Sequence, residues 1–302
     1  MNNNRMDIES QDKLFKPSHW SKRYSTPEQV ISEHITFSKN ESERVRSSIP
    51  YETVRYGEIF EHETFDIYGI HLSKDAPIFI YIHGGYWQEP IDKNISAYTV
   101  QPLVDAGHKV IVLDYDLCPN ISLEQLVNQI QRAGIFIVNY ATSMGTKGIQ
   151  LAGHSAGAHL ALCLFDGLIH KGFTFNSIIK SLYLFGGVYD LREPRFMPSI
   201  NPDNKILSLD DSNTSKLSPI FFDYQKWTEI QKDIAIYLFV GTNDAPKLIE
   251  QSHQFDRLLS TNQTLKHKLF IMDGYDHFDA VEDLSKSNYS ITRMLIDEPK
   301  HF

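Results

Sequence analysis

Cysteine is scarce in this chain. Only Cys118 and Cys163 occur in 302 residues, and they form neither a CxxC pair nor a zinc-ligand spacing. That excludes a disulfide framework and a structural zinc site, and it predicts reduced thiols in a cytoplasmic protein. Long apolar runs are also missing: none approaches the roughly 18 residues a membrane span needs. The opening MNNNRMDIESQDKLF lacks the basic-then-apolar order of a secretory leader. A soluble chain with no membrane partner is therefore expected. Basic residues number 29 against 38 acidic ones, for a formal charge of −9, and no Lys/Arg block stands out. A phosphate backbone requires the opposite, so nucleic acid is excluded as a partner. No HExxH, no Walker loop and no G-x-G-x-x-G after a strand occurs, so the usual signs of a catalytic zinc or a bound nucleotide are missing. What is present is an ordinary globular composition, 41% hydrophobic and 22% charged. Residues 1–302 are expected to form one domain with a large core.

Residues 1–50 read as a polar extension followed by a helix. Thr26-Pro27-Glu28 marks the helix start, Val30, Ile31, His34, Ile35 and Ser38 follow at helical spacing, and Ser48-Ile49-Pro50 ends it. Thr53 to Tyr56 and Phe65 to Ile70 alternate with a period of two, as half-exposed antiparallel edge strands do. From Ile78 the character changes. Short, mostly apolar runs at 78–82, 109–113, 148–152, 181–185 and 234–240 are separated mainly by helix-length stretches, the signature of parallel strands buried on both faces. A last strand at 266–272 and a final helix at about 280–296 complete an α/β pattern: a mostly parallel central sheet with helices on both faces. Residues 186–233 break the rhythm, being rich in Pro, Asn and Asp yet carrying Phe196, Met197, Leu207, Leu217 and Trp227. They read as a cap over the carboxyl edge of the sheet, where such sheets bind ligands, or alternatively as an excursion away from the site.

The chemistry concentrates at Gly153-His154-Ser155-Ala156-Gly157, with an apolar strand directly before it and a helix-like run directly after. This is G-x-S-x-G in the strand–turn–helix setting of the α/β-hydrolase fold, whose cramped turn needs small neighbours and holds the serine hydroxyl out from the sheet. Ser155 is the candidate nucleophile. A serine hydroxyl needs a base, and the base needs a third group to fix its tautomer. In this fold the order is Ser, acid, His. His277, in Asp273-Gly274-Tyr275-Asp276-His277-Phe278 after the last strand, is alone among thirteen histidines in combining that position with a glycine-containing loop. The acid belongs after the preceding strand, where Asp244 stands in Gly241-Thr242-Asn243-Asp244. Asp190, one strand earlier, is the rival. Donors for an oxyanion come from His83-Gly84-Gly85-Tyr86 after the strand 78–82, so Gly84, Gly85 and the N–H of Ala156 are the candidate hole.

Four stretches together resemble one family: His83-Gly84-Gly85-Tyr86-Trp87-Gln88-Glu89, Asp114-Tyr115-Asp116-Leu117-Cys118-Pro119, Gly153 to Leu160, and Gly274-Tyr275-Asp276-His277-Phe278. The chain is similar to the animal-type kynurenine formamidases, or arylformamidases, from about Pro17 to about Ile296. The resemblance implies hydrolysis of N-formyl-L-kynurenine to L-kynurenine and formate in tryptophan breakdown, with no cofactor and no metal. It implies Ser155, Asp244 and His277 as the triad and Gly84, Gly85 and Ala156 as oxyanion donors. The partner is then a small aromatic substrate, and either a monomer or a homodimer is compatible with it. Tyr86 and Trp87, beside the hole, could flank the aryl ring or could simply pack under the cap. A general carboxylesterase or lipase would keep the same triad, and a non-catalytic ligand-binding relative would have lost a member of it.

Overall fold

The computed structural model describes residues 7–172, 178–231, 233–262 and 264–298. Residues 1–6 of the expected extension and Lys232 of the expected cap lie outside them. Eight strands form one sheet: β1 Tyr51–Arg55, β2 Thr64–Tyr68, β3 Ile78–Ile82, β4 Lys109–Leu113, β5 Ile149–His154, β6 Ile179–Phe185, β7 Ala235–Gly241 and β8 Lys266–Met272. Their order is β1-β2-β4-β3-β5-β6-β7-β8. β1 and β2 pair antiparallel with their neighbours, and every pairing from β4 through β8 is parallel. The helices are α1 Ile8–Lys13, α2 Pro27–Ser48, α3 Val100–Asp105, α4 Leu123–Met144, α5 Ala156–His170, α6 Tyr224–Ile230, α7 Pro246–Ser260, α8 Asp279–Glu282 and α9 Ser290–Asp297.

The two long early helices begin where their caps dictate. The Thr26 hydroxyl accepts from Gln29 N at 3.2 Å and Pro27 occupies the first turn of α2, where a missing N–H costs nothing. Ser122 and Gln125 form a reciprocal capping box on α4, which ends on Gly145 at φ 67°. The pleat then divides the core. Ile78, Ile80 and Ile82 of β3 join Ile111 and Leu113 of β4 in a cluster with α4 and α5, while Phe79, Tyr81, Val110 and Val112 face α3 and α9.

Three elements differ from expectation. β1 is the exposed edge, but β2 is buried, because it lies between β1 and β4 and Asp66 is covered by Arg46 of α2 and by Thr53. The final helix is interrupted: α8 passes into a single 3-10 turn, Lys286 turns extended, and α9 restarts at Ser290. The intervening Ser287-Asn288 are residues whose side chains compete for backbone hydrogen bonds and so favour a break. Residues 186–233 contain three 3-10 turns, each opened by a proline, and then α6. Leu191, Met197, Ile200, Leu207, Leu217 and Trp227 sink into the main core.

Asp66 is fully buried with its charge compensated by Arg46. Replacing it with Ala strands that guanidinium, so Asp66→Ala should lower unfolding free energy by about 3 kcal/mol in urea titration. A loss within about 0.5 kcal/mol, the range of an ordinary surface change, would show that α2 is not anchored through this pair.

Candidate active site

Ser155 occupies the turn between β5 and α5 at φ 55° and ψ −120°, a conformation that side chains rarely adopt. The turn is this tight because backbones touch. A Cβ on Gly153 would lie 2.1 Å from the Gly157 carbonyl oxygen, and one on Gly157 would lie 2.1 Å from that of Ile82. Both flanking positions therefore require glycine. Ser155 N donates to Phe185 O at 2.7 Å, fixing the turn to β6. The N–H of Ala156 is the first of α5 and so has no partner within the helix.

The loop after β3 lies against this turn, with the Gly84 Cβ position 3.0 Å from Ser155 Cβ. Gly85, Tyr86 and Trp87 follow at φ 109°, 43° and 62°, three consecutive residues in the left-handed region, two of them not glycine. Such strain persists only where surroundings impose it. The Tyr86 hydroxyl donates to Phe15 O; Trp87 Nε1 donates to His159 Nδ1 at 3.2 Å; Gln88 Nε2 donates to Ile200 O at 2.7 Å. From below, the Tyr115 hydroxyl donates to His83 O at 2.8 Å, with the two rings stacked at 4.2 Å. Burial pushes the His159 imidazole down to about 4. It is thus neutral and can accept from Trp87 while its Nε2 donates to Leu217 O at 2.8 Å.

His277 follows β8 and its Nδ1 lies 2.9 Å from Asp244 Oδ2, both residues being buried. Gly186, at φ 52°, makes room for the pair: a Cβ there would stand 2.7 Å from His277 Nδ1 and 3.0 Å from Asp244 Oδ2. His154 packs its ring 4.4 Å from that of His277 and donates Nε2–H to the His277 carbonyl at 2.9 Å. Burial, with the neighbouring imidazole His277, holds His154 well below the usual histidine range, so it serves as a neutral prop. Asp276 is gripped by Arg23 at 2.8 Å and by Ser21, and it accepts from the backbone of Phe278 and Asp279. Burial raises a carboxyl's pKa, but these partners outweigh it and hold Asp276 ionised. Asp190 is turned elsewhere, chelated by Arg192 at 2.6 Å and hydrogen-bonded through its backbone to Gln251.

Ser155, Gly84, Gly85 and His277 open on one cavity of about 490 Å³. Its outer wall is a stripe of α2 comprising Ile31, His34, Ile35 and Ser38, with the turn Pro17–His19 beside it. Of residues 186–233, Ser199 alone among the described residues lines it. The cover over Ser155 thus comes mainly from residues 16–39, although residues 186–233 were expected to supply it. Tyr86 reaches the cavity. Trp87 does not: it is fully buried and stands edge-on to His159 at 5.1 Å, so its expected place beside a substrate ring is corrected to a support of the strained loop. Arg23, His34 and Ser38 were missed as site residues, since helical spacing placed the latter two on α2 without showing what that face meets. Among the described residues no three His, Cys, Asp or Glu side chains group as a metal ion requires.

The family model described as BD-FAE matches residues 65–269. A kynurenine formamidase of Drosophila melanogaster is 32% identical over 94% of this chain and 95% of its own length. That of Salmo salar is 32% identical over 96% of each chain. Among solved structures, an esterase of Pyrobaculum calidifontis superposes with TM-score 0.68 at 16% identity, covering 100% of this chain and 95% of that one. Esterase B of Lactobacillus rhamnosis gives 0.67 at 18%, covering 91% and 94%. These two likenesses show the α/β-hydrolase fold.

Because a side chain at Gly186 would strike His277, Gly186→Ala should leave a folded protein whose kcat falls by on the order of a hundredfold, as displacement of a reacting group by about 1 Å does. Circular dichroism and steady-state kinetics check this. An unchanged kcat in the folded variant would mean that the position of the His277–Asp244 pair does not control turnover.

Proposed function

Because the chain belongs to the kynurenine formamidases and to the BD-FAE family, within the α/β-hydrolases, we propose that Ser155, His277 and Asp244 carry out its hydrolysis of a formamide amide bond. The substrate is N-formyl-L-kynurenine. Ser155 Oγ attacks the formyl carbon while His277 Nε2 takes its proton and Asp244 holds Nδ1–H. The tetrahedral oxyanion is met by the backbone N–H groups of Gly84, Gly85 and Ala156. His277 passes the proton to the departing aniline nitrogen, leaving formyl on Ser155. Water, deprotonated by His277, then attacks that ester and releases formate and the serine. One water is consumed, and kynurenine and formate result.

The observation that carries this reading is the buried 2.9 Å contact of His277 Nδ1 with Asp244 beside a serine held at φ 55° on the same cavity. The strained loop supports the oxyanion assignment, since donors fixed by their surroundings need no reorganisation when charge develops. A formyl carbon bears only hydrogen beside its carbonyl, so it suits a hole this closely packed. Cys118 and Cys163 are free and buried, which supports the reducing interior of the cytoplasm as the site of action.

Two comparisons test the proposal. Purified protein should release kynurenine from N-formylkynurenine with kcat/KM at least tenfold above that for an octanoyl aryl ester, because remote contacts align the formyl carbon. The reverse preference favours a general carboxylesterase. Asp244→Asn should lower kcat by roughly three to four powers of ten through loss of the correct tautomer, while Asp190→Asn stays within about tenfold of wild type. The opposite order would assign the acid to Asp190.

A further inference from the structure

The outer wall of the cavity contains polar groups that the triad leaves unused. His34 lines it, is nine-tenths buried, and has Nδ1 only 2.8 Å from Glu282 Oε1. That imidazole–carboxylate pair resembles His277–Asp244 in geometry but stands away from the nucleophile, its ring 6.5 Å from His154 and 4.9 Å from Phe278. One turn along the same face of α2, Ser38 also lines the cavity, is 4% exposed, and has a hydroxyl with no hydrogen-bond partner among the described residues. A buried hydroxyl without a partner costs about 1–3 kcal/mol, so a protein that keeps one on the wall of its catalytic cavity invites a ligand group there.

We infer that His34 and Ser38 form a subsite for the α-carboxylate of the substrate's amino-acid end. The inference rests on the formylkynurenine reading. Glu282 is occupied by His34 and by Arg23 at 2.7 Å, so it is unavailable to an ammonium group. Its bond to Nδ1 fixes the ring's orientation, leaving the second ring nitrogen for a ligand. A ring that donates Nδ1–H to Glu282 and Nε2–H to the arriving carboxylate bridges the two. The Ser38 hydroxyl supplies a second donor at the i+4 position. Lys39, the next residue, is exposed and also lines the cavity, adding positive charge at this wall. The aromatic ring would then cross between Tyr86 and the exposed Ile31, with the formyl group at Ser155.

The test compares three substrates in kcat/KM: N-formylkynurenine, its analogue lacking the carboxylate, and its analogue lacking the amino group. The wild type should favour N-formylkynurenine over the carboxylate-free analogue by tenfold or more, and Ser38→Ala should shrink that ratio by roughly tenfold, mainly through KM. His34→Gln, which can still bond Glu282, should shrink it at least as much. Ser38→Ala deletes a hydroxyl with no hydrogen-bond partner among the described residues, so its Tm should not fall, which separates a binding role from a structural one. Equal turnover of the acid and its carboxylate-free analogue by the wild type overturns the subsite. So does a ratio unchanged in Ser38→Ala, or a loss that follows the amino group instead. Turnover of none of the three overturns the formamidase reading and the subsite with it.

Discussion

The site depends on one close contact between backbones. Gly157, at the start of α5, lies so near the carbonyl of Ile82 that no side chain fits between them, and Gly153 is equally constrained against Gly157. This pins the turn bearing Ser155 to the end of β3, where the loop with Gly84 and Gly85 begins. Ser155 and the loop with Gly84 and Gly85 are therefore adjacent through the sheet itself, because β3 and β5 pair in parallel with Ile82 opposite Gly153. The His277–Asp244 pair reaches the same edge from β8 and β7, with Gly186 after β6 vacating the space it needs. Ser155, Gly84, Asp244 and His277 thus all follow the carboxyl ends of parallel strands, and the sheet register sets their spacing.

A second layer holds these loops from outside. Residues 12–23 touch the loop after β3, the segment after β6, the start of α7 and the loop after β8. Asp12 accepts from Ser199 N at 2.9 Å, the Leu14 carbonyl accepts from Lys247 N at 3.1 Å beside the acid loop, Phe15 accepts from Tyr86, and Arg23 grips Asp276 beside the histidine. Burial works to raise Asp12 and Asp276, but Lys16 and Ser199 hold the first low and Arg23 and Ser21 the second. The strained Tyr86–Trp87 backbone is one beneficiary. Buried partners at Phe15 and His159 hold two non-glycine residues in a left-handed conformation that would otherwise relax.

Much of this was legible in the sequence, for identifiable reasons. Strands buried on both faces read as unbroken apolar runs, and Gly-x-Ser-x-Gly between a strand and a helix admits few geometries, so the mostly parallel sheet and the α/β class could be anticipated. That Asp244 and His277 would meet followed from the order of elements. Trp87 misled because proximity in sequence to the oxyanion loop says nothing of which way a ring points, and three left-handed residues in a row turned it inward. The roles of α2 and Arg23 were hidden for a different reason. Their contacts to Glu282 and Asp276 join residues more than two hundred positions apart, and no local pattern encodes a pairing at that range. Ser38 was visible as a polar residue at helical spacing, but only the three-dimensional arrangement shows that its face borders the cavity of Ser155.

Covalent catalysis by Ser155 on a formamide is tested most directly by mass spectrometry of the protein acid-quenched during turnover of N-formylkynurenine. A transient formyl ester should appear on the peptide carrying Ser155, absent before substrate is added and lost as formate appears. A protein that releases kynurenine at full rate without ever carrying that group, and still does so as Ser155→Ala, would contradict it.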